Sequence, residues 1–136
     1  MDNGYILFEG PSAIDGEPIV VIATGFKSPS ANEKTGPMVQ TWILRQDMKP
    51  LEAIRSDNDR SICGDCQHRG AGGGVNRSCY VLVAFAPTSV FAAYKRGTYR
   101  RLDDLRLLAI HPLRLGAYGD PAALPVDLVA SWCSAA

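Results

Sequence analysis

The hydrophobic and polar positions in the first part of the chain follow the pattern of an antiparallel sheet. Apolar, β-branched runs cover residues 5–8, 18–24 and 38–44, and their composition and length are typical of strands. The Asp15-Gly16 pair between the first two runs is typical of a tight hairpin turn. A polar stretch at 26–36 separates the second run from the third. We therefore predict three antiparallel strands at the N-terminal end.

The pattern changes in the second half of the chain. A continuous apolar run covers residues 80–85, as expected of a strand that is covered on both faces. Thr88 precedes a helical stretch that Gly97 would end. A second strand is predicted at 112–117 and a second helix at about 125–133. The order strand, helix, strand, helix predicts a βαβα unit with parallel strands.

These segments predict an α/β or α+β fold in one domain that spans residues 1–136. The chain has 136 residues, of which 46% are apolar and 21% charged, and these values are typical of a single globular domain. We divide it into a β-rich part (1–60, with a short helix at 50–55), a loop rich in cysteine and histidine (61–80) and the βαβα part (80–136).

The charge balance limits the classes of partner. The 14 basic and 14 acidic side chains cancel, which argues against a general nucleic-acid coat and against a membrane-surface binder. No apolar run approaches the roughly 18 residues of a membrane-spanning helix, and no basic region precedes an apolar segment at the N-terminus. We therefore expect a cytoplasmic protein without a membrane partner. In that compartment clustered cysteines bind metal more often than they pair as disulfides.

Three of the four cysteines lie close together, with a histidine between them. The spacing C-x2-C-x-H-x10-C places Cys63, Cys66, His68 and Cys79 in one loop, and these are the ligand types of tetrahedral zinc. The glycine-rich stretch 70–74 allows the chain to turn back and bring the last cysteine to the others. Because the loop has almost no apolar residues to pack, bound zinc would also hold it in place.

Alternatives to this ligand set remain open. An iron–sulfur cluster is the alternative metal group, and zinc is favoured because a histidine is present and only three cysteines are local. Cys133 is the alternative fourth ligand in place of His68, although its position on an apolar helix face is typical of a buried free thiol. Another interpretation is a flexible loop with incidental reduced thiols.

Asp120 is the only catalytic candidate that we select. Gly119 and Asp120 follow the strand predicted at 112–117, at the edge of the sheet where α/β folds bind their ligands. A carboxylate at this edge can act as a base or bind a cation. The other interpretation is a turn with a helix-capping aspartate.

Basic side chains form the candidate partner-binding set. Its members are Lys95, Arg96, Arg100, Arg101 and Lys34. Tyr94 and Tyr99 lie among the first four, and aromatic side chains beside cations can stack nucleic-acid bases. However, a helix C-terminus attracts cations in any case. A solvated helix end is therefore the favoured interpretation, and a protein-binding patch is as plausible as a nucleic-acid one.

Several motifs in combination resemble a family of uncharacterised bacteriophage proteins. They are GPSAIDGEPIVVIATG (10–25), KTG (34–36), CGDCQHR (63–69), CYV (79–81) and RLGAYGDPA (114–122). The resemblance implies a phage-encoded protein in the host cytoplasm and carries no assigned reaction. Members of the family continue beyond the equivalent of Trp132, so an active site built from both halves would be incomplete here. A binding role is therefore favoured over catalysis.

Three hypotheses follow. The first is a zinc-stabilised accessory protein that binds a host protein or nucleoprotein complex, as anti-defence proteins of the anti-CRISPR type do. The second is an enzyme, or the remnant of one, that uses Asp120 beside a zinc or iron–sulfur centre; it requires the cysteine loop and the Gly119-Asp120 turn to share one pocket. The third is a nucleic-acid-binding zinc module that uses Arg69 and Arg77, and it requires a positive surface stripe.

Overall fold

The structure, a computed structural model, describes residues 2–28, 36–79 and 81–136. Its centre is a five-stranded sheet in the order β4-β1-β2-β3-β5. The strands are Gly4–Pro11 (β1), Pro18–Thr24 (β2), Val39–Arg45 (β3), Arg100–Arg101 (β4) and Leu113–Tyr118 (β5). β1, β2 and β3 are antiparallel neighbours, as predicted, because the turn signals between them are local.

The two edges of the sheet are parallel pairs. β4 pairs with β1 at one edge, and β5 pairs with β3 at the other. The middle strand, β2, has no exposed surface from Ile19 to Ala23. Such burial requires cover on both faces of the sheet, and the helices and the cysteine-rich loop provide it.

Four α-helices accompany the sheet in the described part of the chain. They are Pro50–Arg55 (α1), Arg60–Cys63 (α2), Ala86–Lys95 (α3) and Val126–Ala135 (α4). Short 3₁₀ helices cover Gln67–Arg69, Leu105–Ala109 and Pro121–Ala123. α1 has the predicted bounds and begins with a proline, which the first turn of a helix tolerates. α4 carries Trp132, which is only 1% exposed.

The prediction of a strand at 80–85 is wrong for residues 81–85. They form a bend and a turn that lead into α3, and residue 80 lies outside the described residues. Val83 is buried, but Leu82 and Phe85 are 69% and 67% exposed. A short apolar run without a period does not distinguish a buried strand from other structures, and here only part of the run is buried.

The start of α3 also differs from the prediction. Phe85 is its N-cap residue, and Thr88 lies inside the helix, where its Oγ1 donates to the Val83 carbonyl at 2.7 Å. The end is as predicted: Gly97 follows the helix with φ of 76°, and its N–H donates to the Tyr94 carbonyl at 3.0 Å.

The predicted βαβα unit is therefore not formed by these segments. The strand expected at 112–117 is present as β5, but its partner is β3 rather than a strand at 80–85. β4 and β5 join the same sheet as the N-terminal strands. The fold is α+β, with one mixed sheet.

The predicted polar loop at 26–36 is described only at its two ends. Residues 29–35, which include Lys34, lie outside the described residues. Across residues 2–28, 36–79 and 81–136, no helix is both long enough and apolar enough to cross a membrane.

Candidate functional site

Three thiols line one pocket. Cys63, Cys66 and Cys79 border a pocket of about 260 Å³, and residues 116–121, the end of β5 and the turn after it, form another part of its lining. Cys63 is the last residue of α2. Cys66 follows across a tight turn in which its N–H donates to the Cys63 carbonyl at 3.3 Å. The enzyme hypothesis requires the cysteine loop and the Gly119-Asp120 turn to share a pocket, and the two do so.

The backbone of His68 brings Cys79 back to the first two cysteines. The His68 carbonyl accepts hydrogen bonds from the N–H groups of Ser78 and Cys79 at 3.0 and 3.1 Å. The reversal between them requires Gly70, whose φ is 84° and where a Cβ would lie 2.1 Å from the Val75 carbonyl oxygen. Glycine therefore occupies the position at which the backbone of this loop comes closest to the Val75 carbonyl.

Neither candidate for a fourth ligand lies on this pocket. The imidazole of His68 is exposed, and its Nδ1 lies 3.0 Å from Ser78 Oγ. Cys133 lies on α4 and is exposed, so the expected buried thiol is wrong. Neither residue is part of the pocket lining. The structure thus brings together three of the predicted ligands.

The three cysteines are of a residue type that binds zinc, and they border one pocket. Within the described ranges, however, no group of three or more His, Cys, Asp or Glu side chains is arranged to hold a metal ion. Burial, with a contribution from the Asp59 carboxylate, raises the pKa of Cys63 to about 12. A metal would favour the thiolate instead. Zinc or iron–sulfur ligation by these cysteines stays a prediction.

A buried carboxylate ties the two arms of the loop together. Asp59 is 2% exposed, and its two oxygens accept from Arg69 Nη2 at 2.8 Å and from Arg77 Nη1 at 3.1 Å. The two arginines flank the glycine-rich stretch 70–74, so one carboxylate joins the segment before it to the segment after it. Arg69 and Arg77 are the cations of the nucleic-acid hypothesis, one of three that the sequence leaves open. The sequence does not indicate Asp59, which lies in a polar run typical of an exposed turn.

The turn after β5 is fixed to both β3 and α2. Gly119 has φ of 85°, and a Cβ there would lie 2.6 Å from Ile43 Cβ on β3. The Asp120 N–H donates to the Ile62 carbonyl, next to Cys63, at 2.6 Å. The Asp120 carboxylate accepts from the Ala122 N–H at 2.9 Å. The capping interpretation of Asp120 is therefore confirmed, and the same exposed residue also lines the thiol pocket.

Tyr118 is a pocket residue that the sequence interpretation missed. It is the last residue of β5, is 2% exposed and belongs to the pocket lining. Its hydroxyl has no hydrogen-bond partner among the residues that the structure describes. Burial raises the pKa of this phenol above its ordinary value, so the group remains a proton donor. The available signal was an aromatic residue at the end of a strand, directly before a Gly-Asp turn.

The candidate partner-binding side chains lie away from the thiol pocket. Arg100 Nε pairs with Asp2 at 3.0 Å, and Arg101 Nη2 pairs with Glu9 at 2.6 Å. The Nζ of Lys95 lies 5.6 Å from the ring centroid of Phe91 on the same helix. These side chains and Arg96 are exposed, whereas Lys34 lies outside the described residues. The charge of two of the arginines is thus balanced within the protein.

Comparison with known proteins adds no assignment to this geometry. No protein-family model, no curated protein and no solved structure matches the chain. The resemblance to bacteriophage proteins therefore stays a prediction.

Proposed function

We propose that this protein is a metal-dependent enzyme, or the remnant of one, whose metal is held by Cys63, Cys66 and Cys79 and is open to a small molecule. The observation that carries the proposal is the pocket that these thiols share with residues 116–121, the end of β5 and the turn after it. Structural zinc sites are closed by four protein ligands, whereas catalytic sites keep a position for water or substrate. The pocket is lined by three thiols and by neither His68 nor Cys133, which supports the second arrangement.

The ion pairs of Asp59 support a chemical role for the metal. Asp59 already joins Arg69 to Arg77 across the glycine-rich stretch. These contacts join the two arms of the loop through protein side chains alone. A metal held by the cysteines would then be available for reaction chemistry as well.

Each residue of the pocket then has a distinct task. The three cysteines provide the metal ligands, and residues 116–121 bound the space for the small molecule. When bound, zinc would supply Lewis acidity, and an iron–sulfur cluster would supply electron transfer. The carboxylate of Asp120 is exposed at the same pocket, and we assign it the role of the acid–base group.

Metal analysis of the full chain tests this proposal. Protein prepared without chelators and reconstituted anaerobically with zinc, or with iron and sulfide, is assayed for elemental content and visible absorption. We expect a stoichiometric metal content that Cys66→Ser abolishes. His68→Ala and Cys133→Ser are the matched controls and should retain the metal, because neither side chain reaches the pocket. Wild-type protein that binds no metal, or a loss in His68→Ala equal to that in Cys66→Ser, would contradict the proposal.

A second candidate function, the binding of a partner protein, rests on an exposed apolar patch. Leu82 and Phe85 are 69% and 67% exposed, and with Leu51 and Ile54 of α1 they line a pocket of about 400 Å³. Large exposed apolar side chains that cluster mark interaction sites. Most side chains that line this pocket are apolar, although Arg55 and Arg77 also line it, and an apolar surface favours the expected host protein over nucleic acid. Arg69 and Arg77, the cations of the nucleic-acid hypothesis, are bound to Asp59.

Capture of a partner from host lysate tests this second candidate. We expect the double variant Leu82→Ser, Phe85→Ser to lose a partner that the wild type retains. Val75→Ser is the matched control, because Val75 is 58% exposed but does not line this pocket. Equal capture by all three proteins would exclude the patch as the binding surface.

A further inference from the structure

Cys63 and Cys66 lie at the two ends of one tight turn. The Cys66 N–H donates to the Cys63 carbonyl at 3.3 Å, which is the bond that closes a four-residue β-turn. Gly64 follows Cys63 with φ of 59° and ψ of −133°. This is the conformation of the first central residue of a type II′ turn, which glycine adopts without strain. The two thiols that are close in the sequence are therefore also separated by a single turn in the fold.

This turn meets the distance requirement of a disulfide. The Cα atoms of the first and last residues of a β-turn lie within about 7 Å of each other, and disulfides join Cα atoms that are roughly 4.4–6.8 Å apart. Both cysteines are free thiols in the structure. A bond between Cys63 and Cys66 is thus within reach of this backbone.

Contacts on two sides hold this turn in place. The Gly64 carbonyl accepts from Arg69 Nη1 at 3.0 Å, and the Arg69 side chain is only 14% exposed. The Ile62 carbonyl, directly before Cys63, accepts from the Asp120 N–H at 2.6 Å. The fold therefore holds the two thiols near each other, and a group held beside its reaction partner reacts faster than one that must diffuse to it.

The two thiols differ in their access to solvent. Cys66 is exposed and Cys63 is half-buried, and both border the thiol pocket. Thiol–disulfide exchange begins at an accessible thiol and is completed by a second thiol beside it. Cys66 therefore has the position of the attacking thiol and Cys63 that of the resolving thiol. Cys79 lies on the other arm of the loop, where its N–H donates to the His68 carbonyl at 3.1 Å.

We propose that Cys63 and Cys66 form a dithiol site that exchanges with small organic disulfides such as glutathione disulfide. The Cys66 thiolate attacks one sulfur of the substrate, the substrate S–S bond breaks, and one glutathione leaves as a thiolate. The Cys63 thiolate then attacks the Cys66 sulfur of the mixed disulfide, which releases the second glutathione and leaves a Cys63–Cys66 disulfide. The two cysteine thiols lose two protons and two electrons, and glutathione disulfide gains both as it becomes two thiols. The inference goes beyond the proposed function, because the exchange needs no metal.

The test is equilibration of the folded full chain with glutathione buffers of increasing oxidation, with a chelator present throughout. Samples are quenched with acid, alkylated, and analysed by mass spectrometry with peptide mapping. In the wild type we expect two of the four thiols to be lost in one bond that maps to Cys63 and Cys66. Cys63→Ser should stop at the mixed disulfide and carry one glutathione on Cys66. Cys66→Ser, which lacks the attacking thiol, should form no glutathione adduct at Cys63.

Cys133→Ser is the matched control. Cys133 lies on α4 and is not part of the pocket lining, so this variant should form the same bond as the wild type. The equilibrium constant for bond formation is also measured in urea. We expect a smaller constant there than in the folded chain, because the turn no longer holds the two thiols together.

The outcomes separate this inference from the proposed function. A wild type that forms no bond within the chain, or a bond that maps to Cys79 or Cys133, overturns the dithiol site. A glutathione adduct on Cys63 in Cys66→Ser overturns the order of attack, and an equal constant in urea overturns the role of the turn. Metal binding is measured without glutathione, so the proposed function stands or falls by its own experiment. Should Cys63→Ser fail to fold, the map of the wild-type bond decides.

Discussion

The carboxylate of Asp59 lies between two guanidinium groups, and each of its oxygens accepts a hydrogen bond from one of them. Its side chain is 3% exposed, and those of Arg69 and Arg77 are each 14% exposed. Ion pairs in such an environment are costly to break, because the remaining charges stay buried without a counter-ion. Loss of the Asp59 charge would take this partner from Arg77, whereas Arg69 would keep its ion pair with Asp57 at 2.7 Å.

Asp59→Asn should therefore lower the free energy of unfolding by about 3 kcal/mol, the cost of removing one partner of a buried ion pair. Urea denaturation measures the change. Asp65→Asn is the matched control: Asp65 pairs with Arg60 at 3.6 Å, and its side chain is 89% exposed. We expect the control to change stability by less than about 1 kcal/mol. Equal effects of the two substitutions would show that Asp59 does not hold the loop.

The residues of the site could be predicted only in part. Cys63, Cys66 and Cys79 lie in one short loop with glycines, so their spacing alone indicates that they come together. Asp59 could not be selected, because its role depends on two arginines that follow it in the folded loop. Tyr118 could not be selected either, because it reaches the pocket from a strand that is distant in the sequence.

At the scale of the elements, β5 is attached to β3 through a side chain as well as through the backbone. The register between them shifts between Gln40 and Trp42. At this shift Thr41 Oγ1 donates to the Arg114 carbonyl at 3.1 Å and accepts from the Gly116 N–H at 2.8 Å. Thr41 is 1% exposed. A buried hydroxyl thus stabilises the strand at the point where it approaches the pocket.

Thr41→Val should destabilise the protein by about 2 kcal/mol, because the Gly116 N–H loses its acceptor in a buried position. Amide hydrogen exchange gives a local measurement, and we expect Gly116 to exchange faster. Thr41→Ser keeps the hydroxyl and is the matched control, in which Gly116 should remain protected. Equal exchange of Gly116 in the two variants would contradict this role of the hydroxyl.

The elements were predictable where their signals are local. The hairpin of β1 and β2 and the helix α1 were found because a turn pair or a first-turn proline defines them. Residues 81–85 were assigned to a strand because a short apolar run has no period that identifies its structure. Only the fold determines that Val83 is buried while Leu82 and Phe85 are exposed.

At the scale of the whole molecule, the C-terminal part supplies one strand to each edge of the sheet. β4 adds to β1, and β5 adds to β3. Both pairs are parallel and join segments that are far apart in the sequence, so no local turn signals them. For this reason the antiparallel centre could be predicted and the edges could not. The thiol pocket depends on one of those edges, because β5 carries Tyr118 into it.

Cys79 and Val81 border the thiol pocket on one side and the apolar pocket of Leu82 and Phe85 on the other. The two spaces therefore share side chains. A ligand that fills one pocket and moves these two residues therefore changes the binding free energy of a ligand in the other pocket. Thermodynamic linkage requires that change to be the same in both directions. A partner that closes on the apolar pocket and an ion that gathers the thiols would then act on each other through the same two side chains.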